Sequence, residues 1–301
     1  MKSTLSPSGW RVALWSAWVV VALLLLSSAG GAMFAVVVTG SALLLAAVPG
    51  VVPTSVTRRN RRELLVITAM YVVVVGLMRL AFSVFTAADV TGLFLAFTAA
   101  LAVGAAGPIV YTVWFRRGSL HDLGVRTDNW RSTAALALVF GGVQFAVTLW
   151  GVGLPADREN WIPLLVMSLV VGAFESIFFW GLVQKRLEAQ FGPRVGIAAA
   201  AALYGLYHYG YGMGLNEIGF LFGLGVVYGV AFATARNLLV LWPLLTPLGP
   251  FVAGLEADVI PLRWASILSF GDVLVLIVFV IVLAGRHEHS GAATAREEKS
   301  R

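Results

Sequence analysis

The chain contains no cysteine. That absence excludes a disulfide framework, a thiolate nucleophile and a thiolate-bound zinc centre. Charge is scarce as well: Asp, Glu, Lys and Arg make up 12% of the 301 residues, against roughly 25% in soluble domains. Hydrophobic residues make up 59%, above the roughly 45–50% of a soluble chain. So little charge cannot cover a soluble surface, and the composition is that of a polytopic membrane protein. The net charge of +6 is no nucleic-acid footprint, because the Lys and Arg fall in alternate loops between apolar runs. No nucleic-acid partner is expected.

What the chain has in abundance is apolar segments of about 20 residues, the length that spans a bilayer as a helix. Ten are counted, at 10–28, 32–52, 64–82, 91–115, 132–153, 161–183, 195–212, 218–235, 238–255 and 264–285. The first has basic residues ahead of it but no clear A-x-A site after it, and is read as a retained helix rather than a cleaved signal. With the N-terminus inside, 18 of the 21 basic residues fall on the inner side, as the excess of Lys and Arg in cytoplasmic loops requires. Both termini are therefore expected in the cytoplasm and the chain in the cell membrane. The expected fold is an all-α transmembrane bundle of about ten helices. It divides into N-terminal helices and loops (1–131), a core (132–285) and a cytoplasmic tail (286–301).

The polar residues inside the apolar runs concentrate after Trp161. Glu175 is the only acidic residue between Trp161 and the basic pair Lys185 and Arg186. A carboxylate inside a spanning helix costs at least about 2.5 kcal/mol and faces a protein interior or a wet cavity, so it marks a functional site by default. His208 lies at comparable depth in the next helix, where the two groups can meet. Gly219 with Gly223, and Gly225 with Gly229, are small-xxx-small pairs that let helix backbones approach closely. Pro243, Pro247 and Pro250 break the ninth segment. Broken backbone at membrane depth survives only against protein or a cavity, which places that segment beside Glu175 and His208. Arg79 is expected to snorkel to the outer interface, with Asp272 a candidate partner. The mixed-charge loop around residues 115–132 reads as a surface-lying segment.

From about residue 161 to 256 the chain resembles the CAAX-processing and bacteriocin-processing (CPBP, or Abi) membrane proteases. The family's first motif, E-E-x-x-F-R-G, reads here as Glu175, Ser176, Ile177, Phe178, Phe179, Trp180, Gly181. Its second, F-x-x-x-H, is present as Tyr204 to His208. Arg236 and Pro243 fall where the family has Arg and Pro after a glycine-rich helix. The third motif, H-x-x-x-N, falls on Pro247 and Phe251. The resemblance implies that Glu175 and His208 activate water for peptide hydrolysis, with Arg236 and Pro243 structural. It also implies that the usual oxyanion donors are replaced, with Ser176, Tyr204 and Thr246 as candidate substitutes.

Three readings of Glu175 and His208 stay open at this point: catalysis of peptide cleavage, a pseudoprotease cavity that binds peptide, lipid or protein, and a proton relay in a carrier. The implied partners are a peptide or membrane-protein substrate, prenylated or not, and membrane lipid. No cofactor is expected. A catalytic zinc wants about three protein ligands, and the other histidines, His121, His287 and His289, sit in cytoplasmic segments.

Overall fold

The computed structural model describes residues 9–27, 31–52, 60–85, 90–126, 128, 130–152, 161–244 and 271–287. Among them there is no strand, and the fold is an all-α bundle. In hydrocarbon every backbone N–H and C=O needs an internal partner, and a helix supplies one within its own segment. The N-terminal part is built from α1 (Gly9–Leu24), α2 (Gly31–Ala47), α3 (Arg61–Val84), α4 (Phe94–Phe115) and α5 (Trp130–Val152). Next comes α6 (Trp161–Glu175), continued by a π-helical stretch, Ser176–Gln184, and by α7 (Lys185–Phe191). Then follow α8 (Pro193–Tyr207) with a 3-10 turn (His208–Tyr211), α9 (Leu215–Ala235), a 3-10 turn (Leu238–Val240) leading into α10 (Leu241–Leu244), and α11 (271–287). Among these, α3, α4, most of α5 and α9 are long and apolar enough to cross a bilayer. The protein is a membrane protein.

Nine of the ten expected segments correspond to described helix. Only residues 238–244 of the ninth are described, so Thr246, Pro247 and Phe251 lie outside the described residues, as does the side chain of Pro243. The helix runs past the expected end of its span at residue 183. Helix continues to Phe191 and turns only at Gly192, whose φ of +83° suits a residue without Cβ, with Pro193 opening α8.

The helix α9 is the hub, packed against α8, α2 and α1. Its glycines explain why. A Cβ on Gly223 would lie 2.7 Å from the Ala35 Cα in α2, and one on Gly225 would lie 3.0 Å from the Ala201 Cα in α8. Gly229 faces Ile197 and Gln184, whereas Gly219 meets nothing within 4 Å. Three of the four glycines are thus contact points, and the expected packing role holds for them. Gly223→Ala is expected to force the α2 and α9 backbones apart and cost about 2 kcal/mol. Gly219→Ala, in open space, should leave stability unchanged or raise it slightly. Thermal unfolding of the two variants in one detergent tests the contrast, and equal midpoints would remove the close-approach argument.

The loop after α4 is exposed at Arg116, Arg117, His121 and Asp128, as the sequence suggests, but its middle is built into the fold. Ser119 and Asp122 form a capping box at a short 3-10 turn, and Leu123 is fully buried. The Gly124 carbonyl accepts the Leu238 N–H at 2.8 Å, and Asn237 Nδ2 donates to the Arg126 carbonyl at 2.9 Å. Gly181 makes room for this loop, since a Cβ there would sit 2.8 Å from the Leu123 carbonyl oxygen. The loop therefore clamps the π-helical stretch against the turn before α10.

Lys185 ties the same loop down by donating from Nζ to the His121 carbonyl at 2.9 Å. It lies just beyond the expected end of its span, and burial pushes its amine down to about 8. The unfolded chain keeps that proton up to about pH 10.4. Between these values the unfolded state binds more protons, so stability should rise with pH across that window. Lys185→Met should flatten the rise in unfolding temperature between about pH 8 and about pH 10. An undiminished slope in the variant would show that other groups cause it.

Arg79 does not pair with Asp272. Its guanidinium donates to the Tyr209 carbonyl at 3.2 Å and lies over the Tyr209 ring at 4.9 Å. The backbone of the turn after α8 thus takes the charge that Asp272 was expected to balance.

Candidate active site

Glu175 is the last residue of α6 in α-helical register, and the nine residues after it follow the wider π-helical path. An inserted π turn shifts the phase of a helix and is frequent at functional sites. Here all nine π-helical residues are buried. The residue before the carboxylate, Phe174, occupies space that Gly104 in α4 leaves free. The Glu175 carboxylate, 3% exposed, is therefore enclosed.

Two tyrosines of α8 supply its partners. Tyr207 donates its hydroxyl to one carboxylate oxygen, and Tyr204 donates to the other at 3.4 Å. A buried carboxylate accepts hydrogen bonds at both oxygens when donors are placed for it, and spacing of three residues puts both tyrosines on one face of α8. The Tyr207 hydroxyl also meets that of Tyr211 at 3.4 Å. Of the two tyrosines, Tyr207, which the motif positions do not mark, makes the closer contact. The spacing from Tyr204 to Tyr207 was the available signal.

His208 begins the 3-10 turn that ends α8. Its backbone N–H bonds the Gly205 carbonyl in the tighter register, while its own Nδ1 lies 2.9 Å from the Tyr204 carbonyl. A carbonyl has no proton to give, so Nδ1 must carry one and donate. In neutral His208, Nε2 is then the basic nitrogen. The ring packs 4.2 Å from Tyr207, 5.0 Å from Tyr204 and 5.6 Å from Tyr211 between centroids.

Glu175 and His208 are thus brought to one aromatic cluster, but among the described residues no hydrogen bond or ion pair joins them directly. Tyr204 and Tyr207 touch both. The arrangement separates a carboxylate from a basic imidazole nitrogen by tyrosines rather than pressing them together.

The other candidates divide. Among the described residues, Ser176 is buried beside Glu175 with no partner for its hydroxyl, and Trp180 is fully buried with no partner for its indole N–H. The Trp180 ring lies 5.6 Å from Tyr204 and 6.2 Å from Tyr228. The Tyr228 hydroxyl accepts from Gln144 Nε2 of α5 at 3.1 Å, a buried polar pair that the sequence reading did not single out. Arg236 stands apart, pairing with Glu188 of α7. The short helix that carries Pro243 abuts α6, where Trp242 Nε1 donates to the Leu169 carbonyl at 2.8 Å. Among the described residues no three His, Asp or Glu side chains gather as metal ligands. Glu175 and His208 offer two at most, with both carboxylate oxygens and Nδ1 already engaged, a donor set that does not fit a three-ligand zinc centre.

Residues 157–244 match the protein-family model described as type II CAAX prenyl endopeptidase, Rce1-like. The matched segment runs from before α6 to the end of α10 and contains Glu175, His208 and the tyrosines between them. It covers less than a third of the chain. The CPBP resemblance carried by the first two motifs is borne out over that segment. No curated protein and no solved structure matches the chain.

Proposed function

We propose that this chain is a membrane endopeptidase that hydrolyses a peptide bond at Glu175 and His208. The observation that carries the reading is the buried Glu175 carboxylate, held by two tyrosine hydroxyls beside an imidazole whose basic Nε2 has no hydrogen-bond partner among the described residues, inside the segment that matches an endopeptidase family. Glu175 takes a proton from water as the water oxygen attacks the substrate carbonyl carbon. The C–N bond then breaks, and the amine leaves with a proton returned through Glu175 or His208. The carbonyl oxygen becomes anionic on the way and needs donors. Pro247 and Phe251 offer no side-chain donor where the family pattern has His and Asn. The hydroxyls of Ser176, Tyr204, Tyr207 and Thr246 are the substitutes in this reading.

Residues 132–285 form the protease-like core, residues 1–131 its support, and residues 286–301 a tail. The Arg-rich helix ends face the cytoplasm, with both termini on that side of the cell membrane. The substrate is a peptide or membrane-protein tail entering from the membrane, and the family match favours a prenylated one.

A second reading, a pseudoprotease that binds such peptides without cutting them, is favoured by the departures from the family pattern at Ser176, Pro247 and Phe251. Removing one oxyanion donor costs about a hundredfold to a thousandfold in rate. The test is cleavage of prenylated and unprenylated peptides by the purified protein in liposomes, beside His208→Ala. Cleavage by the parent and its loss in the variant support the endopeptidase. Peptide capture without cleavage by the folded parent would replace it with the binding reading.

A further inference from the structure

We infer that the cleft between the basic ends of α4 and α11 is a binding site for the phosphate headgroup of an anionic phospholipid. The cavity has a volume of about 590 Å³, and its lining includes Trp114, Arg117, Ser119, Asp122 and His287. It lies at the end of a spanning helix, where headgroups sit. Basic pockets between transmembrane helices at this level take anionic lipid headgroups.

Two neighbouring arginines behave differently. Arg116 pairs with the buried carboxylate of Glu63 at 2.7 Å. Arg117 is exposed and lines the cavity, and it is held with φ at +52°. A left-handed backbone costs an L-residue about 1–2 kcal/mol, and glycine adopts it freely. The chain places arginine there and glycine at the next position. Keeping a side chain at a strained position points to a use for that side chain.

Among the described residues no carboxylate forms an ion pair with Arg117, although Asp122 lines the same cavity. Asp122 Oδ2 accepts the Ser119 N–H at 3.0 Å, and its charge acts on Lys185 and Arg186. His287 stacks on Trp114 with centroids 5.3 Å apart, presenting an aromatic pair of the kind that sits at the lipid interface. A phosphate diester matches this set: its anionic oxygens face Arg117, and its acyl chains leave along the apolar flanks of α4 and α11. Free phosphate shares the headgroup chemistry but not the chains.

The experiment reconstitutes the full chain in vesicles of equal parts phosphatidylglycerol and phosphatidylcholine and counts retained lipids by native mass spectrometry. Phosphatidylglycerol should be retained preferentially, and inorganic phosphate should not displace it. Arg117→Gln should lower that retention about fivefold, the effect of one basic side chain at an anionic surface. Arg61→Gln, an exposed charge-matched change outside the cavity, should not. Arg117→Gly provides the control for folding, since it relieves the left-handed backbone. It should unfold at a higher temperature in lipid-free detergent and still lose the lipid. Equal retention of the two lipids, displacement by inorganic phosphate, or unchanged retention in both Arg117 variants would each overturn the site.

Discussion

Glu175→Gln is expected to lower peptide cleavage by at least about a hundredfold, the lower end of what a positioned general base contributes, while the fold persists. The substitution keeps the shape of the side chain. Its amide oxygen can still accept the hydroxyl of Tyr207 or Tyr204, so the aromatic cluster keeps a partner, but glutamine cannot take a proton from water. Tyr207→Phe is the informative companion. It removes the closer of the two donors to Glu175 and breaks the link to Tyr211, yet leaves the carboxylate in place. Its effect on rate should therefore be smaller than that of Glu175→Gln. The measurements are initial cleavage rates on a fixed peptide together with unfolding temperatures in the same detergent. A glutamine variant that cleaves at the parent's rate would reduce Glu175 to a polar contact fixing helix register, and the search for the base would move elsewhere.

The helices were legible because apolar length and the alternation of basic loops are dictated by the bilayer itself. Glu175 was legible for the same reason: an unpaired carboxylate in a long apolar run is too costly to be incidental. What lies between helices was less so. Tyr207 reaches Glu175 because α6 turns π-helical after position 175 and α8 tightens into a 3-10 turn at His208, and neither change of winding has a mark in composition. The loop carrying Leu123 and Gly124 is polar enough to look like surface. It is built in because Asn237 and Leu238 supply partners for its carbonyls, a match of hydrogen bonds more than a hundred residues apart in sequence. Arg236 was named as a helix-end anchor from the resemblance, but its acidic partner was not, since Glu188 reads as an ordinary charge in a short amphipathic segment.

That partner carries the largest expected effect on stability. Glu188 is buried, and one of its oxygens accepts the Gln184 amide at 2.7 Å while the other pairs with Arg236. Gln184, the final π-helical residue, also donates to the Gly229 carbonyl at 2.9 Å. The carboxylate thus joins the end of the π-helical stretch to the cap of α9, and the Gln184 amide joins it to Gly229 within α9. Arg236 itself has φ at +54°, a left-handed cap that a non-glycine residue adopts only when its surroundings hold it. Glu188→Ala would leave the guanidinium without its carboxylate and the buried Gln184 amide with only the Gly229 carbonyl as acceptor. Breaking a buried ion pair from one side costs about 3–5 kcal/mol. Because the Arg236 side chain is 35% exposed, water recovers part of that, and a loss of about 3 kcal/mol is expected. Glu188→Gln, which keeps one acceptor, should cost less. Since Glu175 sits at the opposite end of the same π-helical stretch, cleavage should fall in Glu188→Ala even at temperatures where the protein remains folded. Unfolding midpoints of the two variants, measured beside Arg236→Gly, separate the contributions. The glycine variant strands the buried Glu188 carboxylate but relaxes the left-handed cap by about 1–2 kcal/mol, so it should fall between Glu188→Gln and Glu188→Ala if backbone strain at 236 is real. A Glu188→Ala midpoint equal to that of the parent would mean that α7 and α9 are held together by their apolar contacts alone.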